Sequence, residues 1–447
     1  MTTVQPGPTT SIDELIAEFK AWLEQNWDPD ITVGEWWERL GLAGWASPTL
    51  PSNAYGKGLS RPDAARVLSE IGSFGALGPP AGLGLLLAAP TIATHGTQEQ
   101  IDLYVREIVT GRKAWCQLFS EPGAGSDLAG LSTKAVLQDD EYIINGQKVW
   151  TSGGQMADMG MLLARTDPSV PKHQGISWFA FDMLQDGVDV RPLREMSGHA
   201  LFSEVFFTDA RVPAAAIIGG LNNGWAAANT TLAFERAGLG AGGGGGGAAG
   251  GWGAALPGTK AGQLDKRVGD FVQKPGGGES RRGRATRMRG GGATLFAGLA
   301  KGNGAWDDPI IRQGLAKLYI LGEIGRLNTE RLKATRASGG DIPGMANISK
   351  LLMSDIVRLS RDLGLQIVGA QGLLHTTDPT EQKVLDEATG NPFLAGITAQ
   401  ALMAQAPPIY GGTDQIQLNV IGERALGLPK EPRDDHLKPF NEVPRNK

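Results

Sequence analysis

Residues 115–127 read Trp-Cys-Gln-Leu-Phe-Ser-Glu-Pro-Gly-Ala-Gly-Ser-Asp, and the periodicity of the chain changes here. Upstream, apolar residues recur at helical spacing. Ser11 with Glu14 has the form of a capping box, and Ile12, Leu15, Ile16, Phe19 and Leu23 follow on one stripe. Helical segments are also expected around Arg61–Ile71 and Thr97–Val109, the second opened by another capping pair, Thr97 and Gln100. From Ala114 the pattern becomes short β-like runs: Ala114–Phe119, Ser132–Leu137, Tyr142–Val149, Gly160–Ala164, Ile176–Asp182, Val188–Pro192 and Glu204–Phe207. Asp139-Asp140 and Asn145-Gly146 supply turn residues that tolerate positive φ. Seven runs at this spacing predict a small antiparallel barrel or sandwich.

After Val212-Pro213 the helical period returns, in Gly224–Gly240, Asp308–Ala337, Ile348–Val368, Pro392–Ala404 and Thr413–Leu426. The fold class is therefore α+β: an N-terminal helical domain (1–113), a middle antiparallel β-domain (114–213), a C-terminal helical bundle (214–430) and a tail (431–447). Within the bundle, residues 241–304 break the pattern. Glycine supplies 22 of these 64 residues, and Arg281, Arg282, Arg284, Arg287 and Arg289 crowd into nine positions. This stretch reads as a long mobile insertion or lid.

Composition narrows the function. The 447 residues carry 42 Lys and Arg against 47 Asp and Glu, a net charge of −5, which does not suit a nucleic-acid-binding polycation. The single Cys116 leaves no disulfide framework or cysteine-cluster metal site, and the five histidines form no His-x-x-x-His pair. No metal site is expected. The run Ala81–Ala89 is the longest apolar stretch and is too short to span a bilayer. With a polar N-terminus, the chain is expected to be soluble and cytoplasmic. The polyglycine run follows a helix, so its GxGxxG spacing is no dinucleotide motif. The arginine cluster resembles an RNA-binding tail, but it is internal and sits in an acidic protein, so it reads as a solvated loop and no nucleic-acid partner is expected.

Three places could carry chemistry. Glu235 lies at the edge of the helical stripe Trp225, Ala228, Leu232 and Leu239. There a carboxylate would be desolvated and its pKa raised toward that of a general base, or it would pair with a neighbouring arginine as a helix contact. The loop Ser120–Asp127 has glycines that admit a ligand to the backbone, or it is a turn. Trp150-Thr151-Ser152 combines a stacking aromatic with two hydroxyls, or forms core and cap.

Taken in order, three long words resemble the acyl-CoA dehydrogenase family. They are Trp115 to Asp127, Ile144-Asn145-Gly146-Gln147-Lys148-Val149-Trp150-Thr151-Ser152, and Tyr410-Gly411-Gly412-Thr413-Asp414-Gln415-Ile416-Gln417 followed by Glu423-Arg424-Ala425-Leu426-Gly427-Leu428-Pro429. The resemblance covers nearly the whole chain. It implies FAD between the β-domain and the bundle, with Gln117, Leu118 and Ser120 lining it. Trp150 would lie against its ring, Thr151 and Ser152 at its edge, and Thr413 and Gln415 would reach it from the last helix. Gln366 and Gly369 match the segment that meets a neighbouring subunit's FAD, which implies a homodimer or homotetramer. Ser126 and Arg236 match positions that touch the CoA part of an acyl-CoA substrate. The family's chemistry removes an α-proton with a carboxylate while the β-hydrogen leaves as hydride to the flavin, and electrons pass to an electron-transfer flavoprotein.

Two departures stand out. The family's usual base is a Glu directly after the Tyr of the C-terminal word, where this chain has Gly411. A branch that includes the long-chain and isovaleryl types instead carries its base just before an Arg on the earlier bundle helix, and Glu235-Arg236 stand there. Glu235 is thus the expected base, with the Gly411 N–H free to contact the thioester oxygen and its missing side chain making room for a branched or bulky acyl group. The usual Arg-x-x-Phe-Gly segment, which helps hold the FAD pyrophosphate, is missing; either one of Arg281 to Arg289 replaces its charge or FAD is held more weakly. Two alternatives remain: a non-catalytic or half-site subunit of a hetero-oligomer, and an oxidase or monooxygenase of the same fold. A preference for straight short acyl chains would contradict the open pocket inferred at Gly411.

Overall fold

The computed structural model describes residues 11–240, 255–272, 291–432, 435 and 437–444, which fall into two compact units. The first begins with α1 (Ile12–Asn26), α2 (Val33–Leu42) and α3 (Arg61–Phe74). The Ser11 capping box forms as expected, with the Glu14 carboxylate accepting from the Ser11 N–H at 2.7 Å. After a π-helical turn at Gly84–Ala88 come α4 (Ala89–His95), α5 (Gln98–Gln100) and α6 (Arg106–Val109). Thr97 and Gln100 close the second capping box. Helix α2, absent from the sequence reading, buries Trp36 and Trp37 completely. Their indole N–H groups donate to the carbonyls of Leu77 and Gly78 at 2.8 and 2.9 Å, so the two large rings enter the core without leaving a donor unpaired.

Eight strands follow: β1 (Trp115–Leu118), β2 (Lys134–Gln138), β3 (Glu141–Ser152), β4 (Met159–Arg165), β5 (Ile176–Asp182), β6 (Val188–Leu193), β7 (Phe202–Pro213) and β8 (Ile217–Ile218). They form one sheet in the order β6-β7-β3-β2-β4-β5-β8, with β1 beside β4. Pairing is antiparallel except for β1 and β2 against β4. The parallel step brings the end of β1 alongside β4 without a hairpin, and β4 and β5 are almost wholly buried. Helix α7 (Gly224–Gly240) packs against this unit, so it groups with the first unit and not with the later bundle helices.

The 241–304 stretch is not one loop. Residues 255–272 form a strap across the helical part of the first unit, with Ala255 and Val268 in the core. The N–H groups of Val33 and Gly34 donate to the strap carbonyls of Lys266 and Leu264 at 2.9 and 2.8 Å. Asp158, fully buried, accepts from Ala114 N at 2.8 Å and from the N–H and hydroxyl of Thr259. Apolar anchors and backbone pairing, neither visible in a glycine count, fix this piece. Gly291–Asn303 is likewise a helix, α8, with Phe296 and Ala300 in the core of the second unit. The five clustered arginines lie outside the described residues.

The second unit continues with α9 (Pro309–Ala337), α10 (Met345–Val368), α11 (Pro379–Thr389), α12 (Leu394–Met403) and α13 (Asp414–Val420). A Cβ at Gly314 of α9 would stand 2.4 Å from Leu363 of α10, so glycine permits that close crossing. Part of the segment after 431 docks on the first unit. Phe440 is buried in the first unit under the Arg165 guanidinium, 3.7 Å from the ring centre, and its N–H donates to Val170 O. Among the described residues no helix is long and apolar enough to cross a membrane, and no group of three potential ligands could hold a metal ion.

Replacing Asp158 with alanine leaves buried N–H and hydroxyl donors without their acceptor, a cost of about 1–3 kcal/mol for each unsatisfied group. Limited proteolysis of D158A is expected to cut within 255–272 much faster than in the wild type, with the rest of the first unit protected.

Candidate active site

Strand β1 delivers Gln117 and runs into the loop Ser120–Asp127. Glu121 and Ala124 exchange two backbone hydrogen bonds of 3.0 Å, which closes the turn. The Glu121 carboxylate turns inward, where it accepts from Ser132 N and Oγ, Thr133 N and the Lys148 ammonium at 2.7–2.9 Å. Lys148 is fully buried and also donates to Phe119 O at 3.0 Å. Burial pushes the Glu121 carboxyl up, but the Lys148 charge and these hydrogen bonds outweigh it and hold the group down at about 2. Its salt bridge is thus intact at neutral pH, and its stabilisation is lost only as the pH falls from the ordinary value of 4.5 through 2.

On β3, Val149 is buried as Lys148 is, and Trp150 is the residue that turns outward. Tyr142, Ile144 and Lys148 take inward positions, and a bulge between Lys148 and Thr151 then changes the register against β7. Trp150 sits on the bulge at φ +62°, 58 % exposed, with its ring edge-on to Phe202 at 5.9 Å. A non-glycine residue held there costs roughly 1–3 kcal/mol. Held there, the large indole is kept out of the core and leaves a ring face open.

Helix α7 contributes Glu235. Ala228 is buried, Trp225 and Leu232 are half-buried, and Glu235 follows them onto the same side. Its Oε2 accepts from Gln117 Nε2 at 3.2 Å. Burial raises the carboxyl above its ordinary value, and the Gln117 hydrogen bond and the Arg236 charge only partly offset this. The first unit therefore joins Gln117 on β1 to Glu235 on α7 directly, and ties Ser120 to the end of β3 through the Val149 N–H, which donates to Ser120 O at 2.9 Å. Leu118 is completely buried, while Ser126 and Arg236 are exposed.

Several features fit a flavin. Trp150 offers a ring face. Gly123 and Gly125 have nothing within 4 Å of an added Cβ, so their backbone lies open to a ligand. Ser152 is half-buried and its hydroxyl makes no hydrogen bond among the described residues. Thr151 differs: its hydroxyl is sealed from solvent and has no partner among the described residues, so Ser152 carries the accessible hydroxyl of the pair.

In the second unit, Gln366, Gly369 and Gln415 are exposed, and Gly411 has φ +62°. Thr413 caps α13 by accepting from Ile416 N at 3.2 Å. Asp414 beside it is buried and bound by Lys350, Ser354 and Arg358 at 2.6–2.9 Å, which anchors the C-terminal word to α10. The sequence reading missed Lys148, Glu121, Asp158 and Asp414. For Lys148 a signal existed: strand alternation puts it on the inward face, where an ammonium requires an acceptor.

Three family models match the chain: the acyl-CoA dehydrogenase N-terminal domain at residues 10–112, the middle domain at 116–210 and the C-terminal domain at 297–426. The acyl-CoA dehydrogenase FadE34 of Mycobacterium tuberculosis is 34 % identical over 88 % of this chain, which spans 46 % of that relative's length. The acyl-CoA dehydrogenase IpdE1 of the same organism is 31 % identical over 89 % of this chain and 88 % of its own. A solved structure, the Tcur3481-Tcur3483 steroid ACAD, is 25 % identical and superposes with a TM-score of 0.65 over 94 % of this chain and 98 % of its own.

Replacing Lys148 with methionine strands a buried carboxylate, which costs about 3–5 kcal/mol. Thermal unfolding of K148M is expected to move down by many degrees, and adding Glu121→Gln to recover part of the loss.

Proposed function

The chain belongs to the acyl-CoA dehydrogenase family, whose members are FAD-dependent flavoproteins, and from that premise we propose that it dehydrogenates an acyl-CoA thioester between its α- and β-carbons with Glu235 as the base. The observation that carries the assignment is the half-buried Glu235 carboxylate, hydrogen-bonded to Gln117 on the strand that opens the flavin loop. A desolvated carboxylate is a stronger base than one in water, and Gln117 fixes the orientation of one oxygen and leaves the other for the substrate. The α-proton passes to that free oxygen. Bound FAD supplies the two-electron acceptor for the β-hydrogen.

The remaining residues bind and orient. Trp150 offers a stacking surface, Ser152 and Ser120 offer hydroxyls, and the backbone of Gly123 and Gly125 admits close approach. Thr413, Gln415, Gln366 and Gly369 as further flavin contacts, Ser126 and Arg236 as CoA contacts, and the Gly411 N–H as donor to the thioester oxygen all rest on the family words alone. An electron-transfer flavoprotein is the proposed acceptor.

One observation favours a second reading, a half-site subunit that needs a different chain to complete its FAD site. The similar solved structure is named for a pair, Tcur3481-Tcur3483, and Gly411 supplies no carboxylate here. The same relative, with the absent side chain at Gly411, supports a bulky acyl group as substrate.

Purified protein titrated anaerobically with a panel of acyl-CoAs is expected to lose its visible flavin absorption with one of them. Glu235→Gln is expected to keep the flavin and slow the bleaching roughly 10²–10⁴-fold. Colourless protein that gains FAD only with a second chain favours the half-site reading.

A further inference from the structure

A cavity of about 690 Å³ opens in the first unit beside α7. Its wall is apolar and stiff: Pro48, Pro51, Pro79 and Pro80 contribute rings with fixed φ, and Leu85 and Phe234 complete the surface. Phe234 immediately precedes Glu235, so the turn of α7 that presents the base also walls the cavity. Leu85 belongs to the π-helical turn whose Gly84 packs against Trp115 on β1, the strand that carries Gln117. The cavity thus shares α7 with Glu235, through the adjoining residue Phe234, and its π-helical wall packs against β1.

Arg61 is the one charged residue among those that line this space. It is exposed, forms no ion pair among the described residues, and holds its guanidinium 5.5 Å from the centre of the Phe234 ring. The ring steers the cation over the apolar wall without neutralising it. An unpaired, always-charged planar donor at the rim of an apolar cavity is suited to a carboxylate or carbonyl oxygen. The volume lies in the range of about 300–1,000 Å³ found for sites that enclose whole drug-sized ligands, far more than a short straight acyl chain fills.

We propose that this cavity receives the far end of a bulky, alicyclic acyl group, and that Arg61 selects substrates bearing a carboxylate at that end. The proposal rests on the acyl-CoA reading of the Glu235 site and names its substrate class. Arg61 sets which thioester binds and has no part in moving the proton.

A matched pair of probes tests it: 3-cyclohexylpropanoyl-CoA and its 4-carboxycyclohexyl analogue, titrated into the FAD-loaded protein by calorimetry, with flavin bleaching followed in parallel. The carboxylated thioester is expected to bind about tenfold tighter, a preference of the size one charge-assisted contact supplies. In Arg61→Gln that ratio should fall to within about twofold, and Arg61→Lys should retain part of it. Equal binding of both probes by the wild type, or an unchanged ratio in Arg61→Gln, overturns the proposal. If the preference depends on Arg61 but neither probe bleaches the flavin, the cavity assignment stands and the dehydrogenase reading falls.

Discussion

The candidate site hangs on one buried ion pair, Lys148 with Glu121. A lysine with no solvent exposure is tolerable only because it donates to the Glu121 carboxylate and the Phe119 carbonyl, and because Ser132 and Thr133 satisfy the carboxylate in turn. Breaking either side leaves a charge with nowhere to go. The pair ties the end of β1, the glycine loop and the end of β3 into one rigid block. With Lys148 drawn inward, the bulge that follows has to turn Trp150 out. Gln117 enters the block from β1, and the Val149 N–H binds Ser120 O at 2.9 Å. Loop, aromatic platform and the partner of the base are thus set by the same electrostatic constraint.

A second set of tethers holds the surroundings. Lys172 binds both Asp127, at the end of the glycine loop, and Asp435 near the chain's end, at 3.0 and 2.9 Å. Through Lys172, the docked segment that carries Asp435 and Phe440 is thus tied to the end of the loop. Asp158 does the same for the strap. Both contacts join residues far apart in sequence, so the stretches between α7 and α8 and after α13 contribute to the shape of the first unit even though they look like linkers.

What was legible in the sequence was local. The Ser11 and Thr97 capping boxes, the boundaries of Gly224–Gly240 and Ile176–Asp182, and the change of period at Trp115 all depend on residues a few positions apart. Glu235 was legible because helical spacing shows which neighbours it shares a face with. Its partner Gln117 is 118 positions away and no spacing reveals it. The α2 helix was hidden because two adjacent tryptophans and a glycine obscure its period, and tertiary packing of the indoles stabilises it. The strap was misjudged because glycine content reports local flexibility, whereas Ala255, Val268 and Asp158 hold it through distant contacts. The parallel pairing of β1 with β4 is equally non-local.

The central claim is that Glu235 acts as base from a desolvated setting, so the most direct measurement is the pH dependence of the rate of flavin reduction by a bound acyl-CoA. A protonated carboxyl cannot accept the α-proton, so the rate should fall as the pH drops through the folded-state pKa of Glu235. The account predicts that this limb lies above the ordinary glutamate value of 4.5 and moves higher still in Gln117→Leu, which removes a hydrogen bond that lowers it. A limb at or below 4.5, or one that Gln117→Leu leaves in place, would contradict it.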